Sequence, residues 1–474
     1  MSNNNRIKGK IILRGQIECL SPVHIGSGKV ERSDMDILLD SNDKPFIPAT
    51  GFVGVLRHAI QKQTTAETEE PERFKNFWGY TENDDGRQSA LCCSDLTLAE
   101  NSSPEVIIRD GIRICHKTGI VEKGGKFDFE LLERGSRFGL NMEFTFREND
   151  EVFVKQTART IYNLLANEQI RIGAKTNSGF GRIALVKDAI TLYLFDFLPD
   201  GNGSPKEDVC NWLLQNFSEQ NAIAVADLGE PFGSSKRRFT ITAQLRLKNS
   251  LLVRSYTGDP QLSDTTQLKS RQDWVIPGTS LKGAIRARAE RIANTLELKN
   301  AESFIKKLFG HVDDKSRSQN VMKGRVRIQE ITLTPADFPT ELQTRIRVDR
   351  FTGGVIEGGL FDSMPIFAPT DDKLIELYIE IENHEIEEQE EDDEFLEAGA
   401  GLLLLVLKDL WCGDLALGGE KNIGRGVLQG ARAEIAWDDE KIVLENDLST
   451  LKEDEKVKLQ NFVDALFGEQ TNER

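Results

Sequence analysis

The chain is short of several things, and each shortage removes a class of function. It has five histidines and six cysteines in 474 residues. Cys19, Cys92, Cys93, Cys115, Cys210 and Cys412 are scattered, with no Cys-x-x-Cys pair among them. That spacing does not match the usual zinc frameworks. Reduced thiols in a cytoplasmic protein are the expectation. No apolar run approaches the length a membrane-spanning helix needs, so no membrane association is expected. The longest apolar stretch, 401–411, is interrupted by Lys408 and Asp409 and reads as a buried helix. The first ten residues, MSNNNRIKGK, lack the apolar segment of a secretory signal. Walker A, Gly-x-Ser-x-Gly and His-Glu-x-x-His motifs are all missing. No aromatic RNP motif is present, so base stacking on a sheet is not expected.

Positive charge is also scarce: the formal net charge is -17. A stand-alone nucleic-acid binder is usually basic. Net charge, however, sets solubility and long-range fields, while binding follows local charge. Much of the acid lies in one block, EIEEQEEDDEFLE at 385–397. Such a run reads as an acidic insertion, either a solvated loop or a contact for another protein. Repulsion or mimicry of RNA is the alternative.

What the chain does have is an internal repeat. PFIPATGFVGVLRHAI at 45–60 returns as WVIPGTSLKGAIRARA at 274–289, and FWG at 77–79 returns as LFG at 308–310. GIRICHKTGIVEKGGKFDFE at 111–130 returns as RIRVDRFTGGVIEGGLFDSM at 345–364. GAKTNSGFGRIAL at 173–185 returns as GGEKNIGRGVLQG at 418–430. Four matches in one order imply duplication and fusion, with domains 1–230 and 231–474. In each copy the elements read strand, helix, strand, strand, helix, strand. The spacing of Val53, Leu56 and Ile60, and of Ile285, Ala289 and Ile292, predicts helices capped by Thr50 and Thr279. An α+β chain of two fused ferredoxin-like (RRM-like) domains is expected, each with a protruding hairpin and a glycine-rich loop.

Four features could carry chemistry. The glycine loops contain Gly173, Gly179 and Gly181 in copy one, and Gly418, Gly424 and Gly426 in copy two. Successive backbone N–H groups in such loops can cradle phosphate. Lys175, Asn177 and Arg182, then Lys421, Asn422 and Arg425, add donors. A glycine-rich hairpin without ligand is the alternative. The helix after Ile-Pro offers an anion site at its N-terminus. Arg57 lies on it in copy one, and Lys282, Arg286, Arg288 and Arg291 in copy two. The stretches 116–128 and 350–362 predict projecting hairpins, which are either plain surface structure or wedges between stacked bases. Finally, Asp34 and Asp36, and Asp264 in copy two, precede the Ile-Pro strand by similar distances. Loop aspartates are usually solvated or turn-forming.

Together the two Ile-Pro helix starts and the two glycine loops resemble the RAMP superfamily of CRISPR proteins, in particular the backbone subunits of type III effector complexes. The joined copies resemble the tandem subunits of type III-D systems. The resemblance implies subunits that stack on a guide (CRISPR) RNA beside other RAMP-type effector subunits. It implies hairpins that interrupt the guide–target duplex, and a loop aspartate that promotes metal-dependent cutting of target RNA. Asp34 carries that role by analogy, with Asp264 as its counterpart and Asp36 as the fallback. Mg²⁺ or Mn²⁺ held at Asp34 and Asp264 is the implied cofactor. Three other readings stay open: a non-catalytic backbone subunit, a metal-free guide-processing endoribonuclease using His24 or His116, and a protein scaffold without RNA.

Overall fold

The computed structural model describes residues 6–28, 31–61, 70–82, 85–115, 118–198, 207–233, 238–256, 263–311, 321–369, 371–382, 389–438, 440–446 and 451–468. These divide into two compact units. The first comprises 1–113, 123–176 and 180–236, and the second 114–122, 177–179 and 237–474.

In the first unit the long strand Ile7–Cys19 runs through the sheet centre. Arg137–Arg147 flanks it on one side and Thr191–Asp196 on the other, both antiparallel. Leu91–Cys93 adds an edge beyond Arg137–Arg147. The second unit repeats this order. Arg238–Leu247 lies between Ile375–Glu382 and Leu428–Trp437, with Val326–Ile328 beyond Ile375–Glu382. Glu440–Glu445 extends the far edge. In Arg238–Leu247, Phe239, Ile241, Ala243, Leu245 and Leu247 are buried while the residues between them are half-exposed. That period of two is the pleat itself, with one face turned to a core.

Each sheet is faced by two helices, Ala49–Gln61 and Glu151–Ala166 in the first unit, Gly278–Thr295 and Gln389–Trp411 in the second. Phe52, Leu56 and Ile60 form one buried stripe, and Leu281, Ile285, Ala289 and Ala293 another. Spacings of four residues place such side chains on one helical face. The helix starts differ from the sequence expectation. Both begin one residue before the threonine, at Ala49 and Gly278, directly after proline. Thr50 and Thr279 are therefore inside the first turn. The Ala49 N–H donates to Asp95 Oδ1 at 2.7 Å, so a distant side chain serves the end of the first helix.

The acidic block is also not simply a loop. Its beginning, through 388, lies outside the described residues, but Gln389–Trp411 is one helix, with Phe395 and Leu396 packed in the second core. The helix continues through 401–411, where Leu402, Leu403, Val406, Leu407 and Leu410 are buried as expected.

Both hairpins are present. Val106–Ile114 pairs with Val121–Leu132, and Gln343–Val348 with Val355–Met364. No described helix is long and apolar enough to cross a membrane.

Candidate functional site

The two glycine loops are built on one hydrogen-bond plan. In the first, Ile172 N–H donates to Gly181 O at 2.9 Å, Ala174 to His24 O at 2.8 Å and Gly181 to Pro22 O at 2.9 Å. In the second, Leu417 donates to Gly426 O at 2.9 Å, Gly419 to Leu252 O at 2.8 Å and Gly426 to Ser250 O at 2.7 Å. The Gly181 and Gly426 amides are thus spent inside the fold and do not face a ligand, unlike the cradle read from sequence. Both residues have positive φ, and an added Cβ would fall 2.0 Å from Ile172 O or 1.8 Å from Leu417 O. No side chain fits there. Gly181→Ala and Gly426→Ala should each cost more than about 2 kcal/mol of unfolding free energy, measured by urea denaturation.

The basic side chains predicted from sequence fall into two groups. Lys421 and Asn422 are exposed on the short helical turn Lys421–Ile423, and Arg57 is exposed on its helix. Others already have protein partners. Arg182 Nη2 bonds Glu168 Oε2 at 2.5 Å, and Arg286 Nη1 donates to Gly310 O at 3.0 Å. Asn177, counted with the second unit, donates from Nδ2 to Gly324 O. Arg288 is bound to Asp409 on the neighbouring helix. Arg425 is buried against Glu420 and Gln343.

Lys175 and Lys282 stand apart electrostatically. Lys175 Nζ lies 3.5 Å from the Phe129 ring centroid and 4.6 Å from that of Phe127, which pack with Phe180. Burial brings its ammonium down to about 8. Lys282 is brought to about 8 first by burial, then by the like charges of Arg286, Arg327 and Lys323. An anion placed there would relieve both penalties.

The acidic loops form a matched pair of tethers. Asp34 N–H donates to Asp128 Oδ1 at 2.8 Å, and Asp128 N–H donates to Asp34 Oδ2 at 3.0 Å. In the second unit Asp362 N–H donates to Asp264 Oδ2 at 3.1 Å, and Thr265 and Ser363 pair in a short parallel ladder. Each loop aspartate is therefore fastened to the returning strand of its own hairpin. The different loop length around Asp264 does not prevent the same tether. Asp128 and Asp362 were missed from sequence, although a shared Phe-Asp after Gly-Gly marks them at 124–128 and 358–362.

Asp36 is different. It is 3% exposed and its carboxylate accepts the Glu31, Arg32 and Ser33 amides and the Ser33 hydroxyl. Burial by itself would raise its pKa; those bonds outweigh burial and hold it at about 2. That is the work of a loop clasp, and all its acceptor capacity is directed inward.

No three His, Cys, Asp or Glu side chains cluster as a metal cage among the described residues. A Mg²⁺-type ion takes one or two carboxylates and completes its shell with water and phosphate oxygens, and Asp34, Asp128, Asp264 and Asp362 are the residues that could contribute. Asp362 Oδ1 is a buried acceptor without a partner, consistent with such a ligand. His24 is buried, with Nδ1 2.8 Å from Glu130 O, and so is poorly placed for metal-free chemistry. His116 lies outside the described residues.

The first sheet's other face is not a stacking platform. Trp212 and Phe217 cover it, with Lys10 Nζ 4.3 Å from the Trp212 ring centroid and Arg14 3.6 Å from that of Phe217. Tyr193 and Phe197 pack against Phe217 and Trp212 respectively. A fully exposed aromatic lies at the second hairpin tip. Asp349 Oδ1 accepts the Phe351 and Thr352 amides, each at 2.8 Å, and Phe351 is 99% exposed on that clasped turn.

The profile of the RAMP superfamily matches residues 16–184 and 244–429, well over half of the chain and one region in each sequence copy. No curated protein matches.

Proposed function

The chain belongs to the RAMP superfamily, a membership that supports a CRISPR-associated RNA-binding role, and on that premise we propose that it is a tandem backbone subunit of a type III effector complex. The observation that carries this reading is the doubled plan: one loop bonding scheme and one aspartate tether in each unit. The strand order in each sheet supports two ferredoxin-like modules. In this role Lys282, Lys421, Asn422 and Arg57 hold guide-RNA phosphates, and other RAMP-type subunits continue the filament. Ultraviolet crosslinking of guide RNA in the assembled complex should label peptides containing Lys282 and Lys421. Crosslinks confined to other subunits would remove the RNA-binding reading.

Asp34 and Asp264 are the cleavage residues of this proposal. A nucleotide unstacked at the hairpin can bring its 2′-hydroxyl in line with the adjacent phosphate. The exposed carboxylate then accepts the hydroxyl proton as the oxygen attacks phosphorus and the P–O5′ bond breaks, giving a 2′,3′-cyclic phosphate and a 5′-oxygen that takes a proton from water. A Mg²⁺ or Mn²⁺ ion held at Asp34 with Asp128, or Asp264 with Asp362, would supply charge neutralisation at the phosphate. The tether to the hairpin strand keeps each carboxylate at the interruption.

Phe351 supplies the stacking edge at the second interruption. Phe351→Ala should leave the melting temperature unchanged, because the ring buries nothing within the protein. It should weaken target engagement at that step by about 1–3 kcal/mol, the usual value of base–aromatic stacking. Fluorescence of 2-aminopurine placed along the target strand would register the loss of unstacking.

A further inference from the structure

At the foot of the second hairpin three guanidiniums gather round one carboxylate. Glu420 receives Arg254 Nη2 at 3.2 Å, Arg345 Nη1 at 2.9 Å and Arg425 Nε at 3.1 Å. Gln343 Oε1 takes a further N–H from Arg345 at 3.1 Å and one from Arg425. One carboxylate cannot neutralise three cations. Arg425 is 2% exposed, and its Nη1 has no partner at all. A buried guanidinium normally has its donors satisfied, so this one marks a cluster with more donors than acceptors. Arg254, 44% exposed, and the half-buried Arg345 bring further N–H groups to the surface.

Among the described residues, the first unit's glycine loop carries neither this carboxylate nor this guanidinium. In the aligned loops Lys175 stands where Glu420 does, and Phe180 where Arg425 does. The carboxylate and the buried guanidinium are replaced there by an aromatic shelf with one ammonium above it.

We infer that Arg254 and Arg345 form a cradle for one RNA phosphodiester in the second copy, held in position by Glu420 and the buried Arg425. Planar forks fixed by a carboxylate are preorganised for phosphate oxygens, so little side-chain entropy is lost on binding. The inference rests on the RNA-binding reading above. It also revises the sequence reading of Arg425, which becomes a positioning residue. Register separates the cradle from the cleavage residues. Arg345 is opposite Phe361, whereas Thr344 is opposite Asp362. Neighbouring residues of a strand face opposite ways, so Arg345 and Asp362 point to opposite faces of the hairpin.

The test is the salt dependence of guide-RNA binding by the assembled complex, with wild type and Arg254→Gln/Arg345→Gln compared. Loss of two phosphate-facing charges should make the slope of log K against log salt shallower by about 1.4, at about 0.7 per charge on single-stranded RNA. Cut positions should not move. Arg254→Lys/Arg345→Lys should keep the wild-type slope. Should the double glutamine variant misfold, Arg254→Gln alone, at the more exposed site, should lower the slope by about 0.7. A wild-type slope in the folded glutamine variants overturns the cradle and leaves the RNA-binding reading standing. Absence of any salt-dependent RNA binding by the wild-type complex overturns both.

Discussion

Asp34→Ala in a reconstituted complex should erase one target-RNA cut, slowing it by about 10²- to 10⁴-fold, the range of a lost general base. Asp264→Ala should erase a different cut and spare the first. The two carboxylates belong to separate units, each tied to its own hairpin, so the effects should be independent. Guide and target binding should be unchanged in both. Alanine also removes the acceptor for the Asp128 or Asp362 amide, so a second substitution is needed to separate chemistry from tethering. Asp34→Asn keeps an oxygen for the Asp128 N–H but loses charge and basicity. Lost cutting in the asparagine variant, with an unaltered melting temperature, identifies chemistry. Full cutting would reduce Asp34 to a tether. Asp36→Ala is the contrasting control. It strips three backbone N–H groups of their acceptor, and its penalty should appear first in stability.

Lys282→Gln should have the opposite signs on stability and on binding. The RNA-free protein should melt higher, because an ammonium crowded by Arg286, Arg327 and Lys323 and partly buried is removed. Guide-RNA affinity should fall about 10- to 100-fold, the worth of a charge-assisted hydrogen bond. The pH dependence follows from the same crowding. The folded-state pKa is lowered to about 8, below that of the unfolded chain. The charged form therefore costs stability fully below the folded pKa, and the cost fades as pH rises through the interval to the ordinary lysine value. Phosphate favours the charged form, so binding above the folded pKa draws in a proton. Wild-type affinity should drop about tenfold between about pH 7 and pH 9, while Lys282→Arg, which stays charged, should show a nearly flat profile. Fluorescence anisotropy with labelled guide RNA reads both. A wild-type profile as flat as that of the arginine variant would exclude Lys282 from the phosphate contact.

Much of the architecture is legible in short stretches of chain. The alternation along Arg238–Leu247, the four-residue stripe of Phe52, Leu56 and Ile60, and the glycines flanking each hairpin are local signals. Each depends on residues a few positions apart, and the repeat doubled every one of them. Helix starts were less legible, since the acceptor for Ala49 N–H is Asp95, far along the chain. The candidate site divides the same way. Asp34 and Asp264 were picked out by comparing the copies, and their proposed role came from the family resemblance. Asp128 and Asp362 lay in a matched Phe-Asp, but their relevance depended on a bond spanning 94 and 98 residues.

The sequence alone determined the repeat and the order of elements in each copy, because those follow from periodicity and spacing. Which charges remain available to a ligand was decided by tertiary structure. Arg425 and Lys421 are neighbours in one loop, yet one is sealed against Glu420 and the other is exposed. Arg254 and Glu420 meet across 166 residues. Charge and burial are properties of surroundings, and surroundings exist only once distant segments have packed.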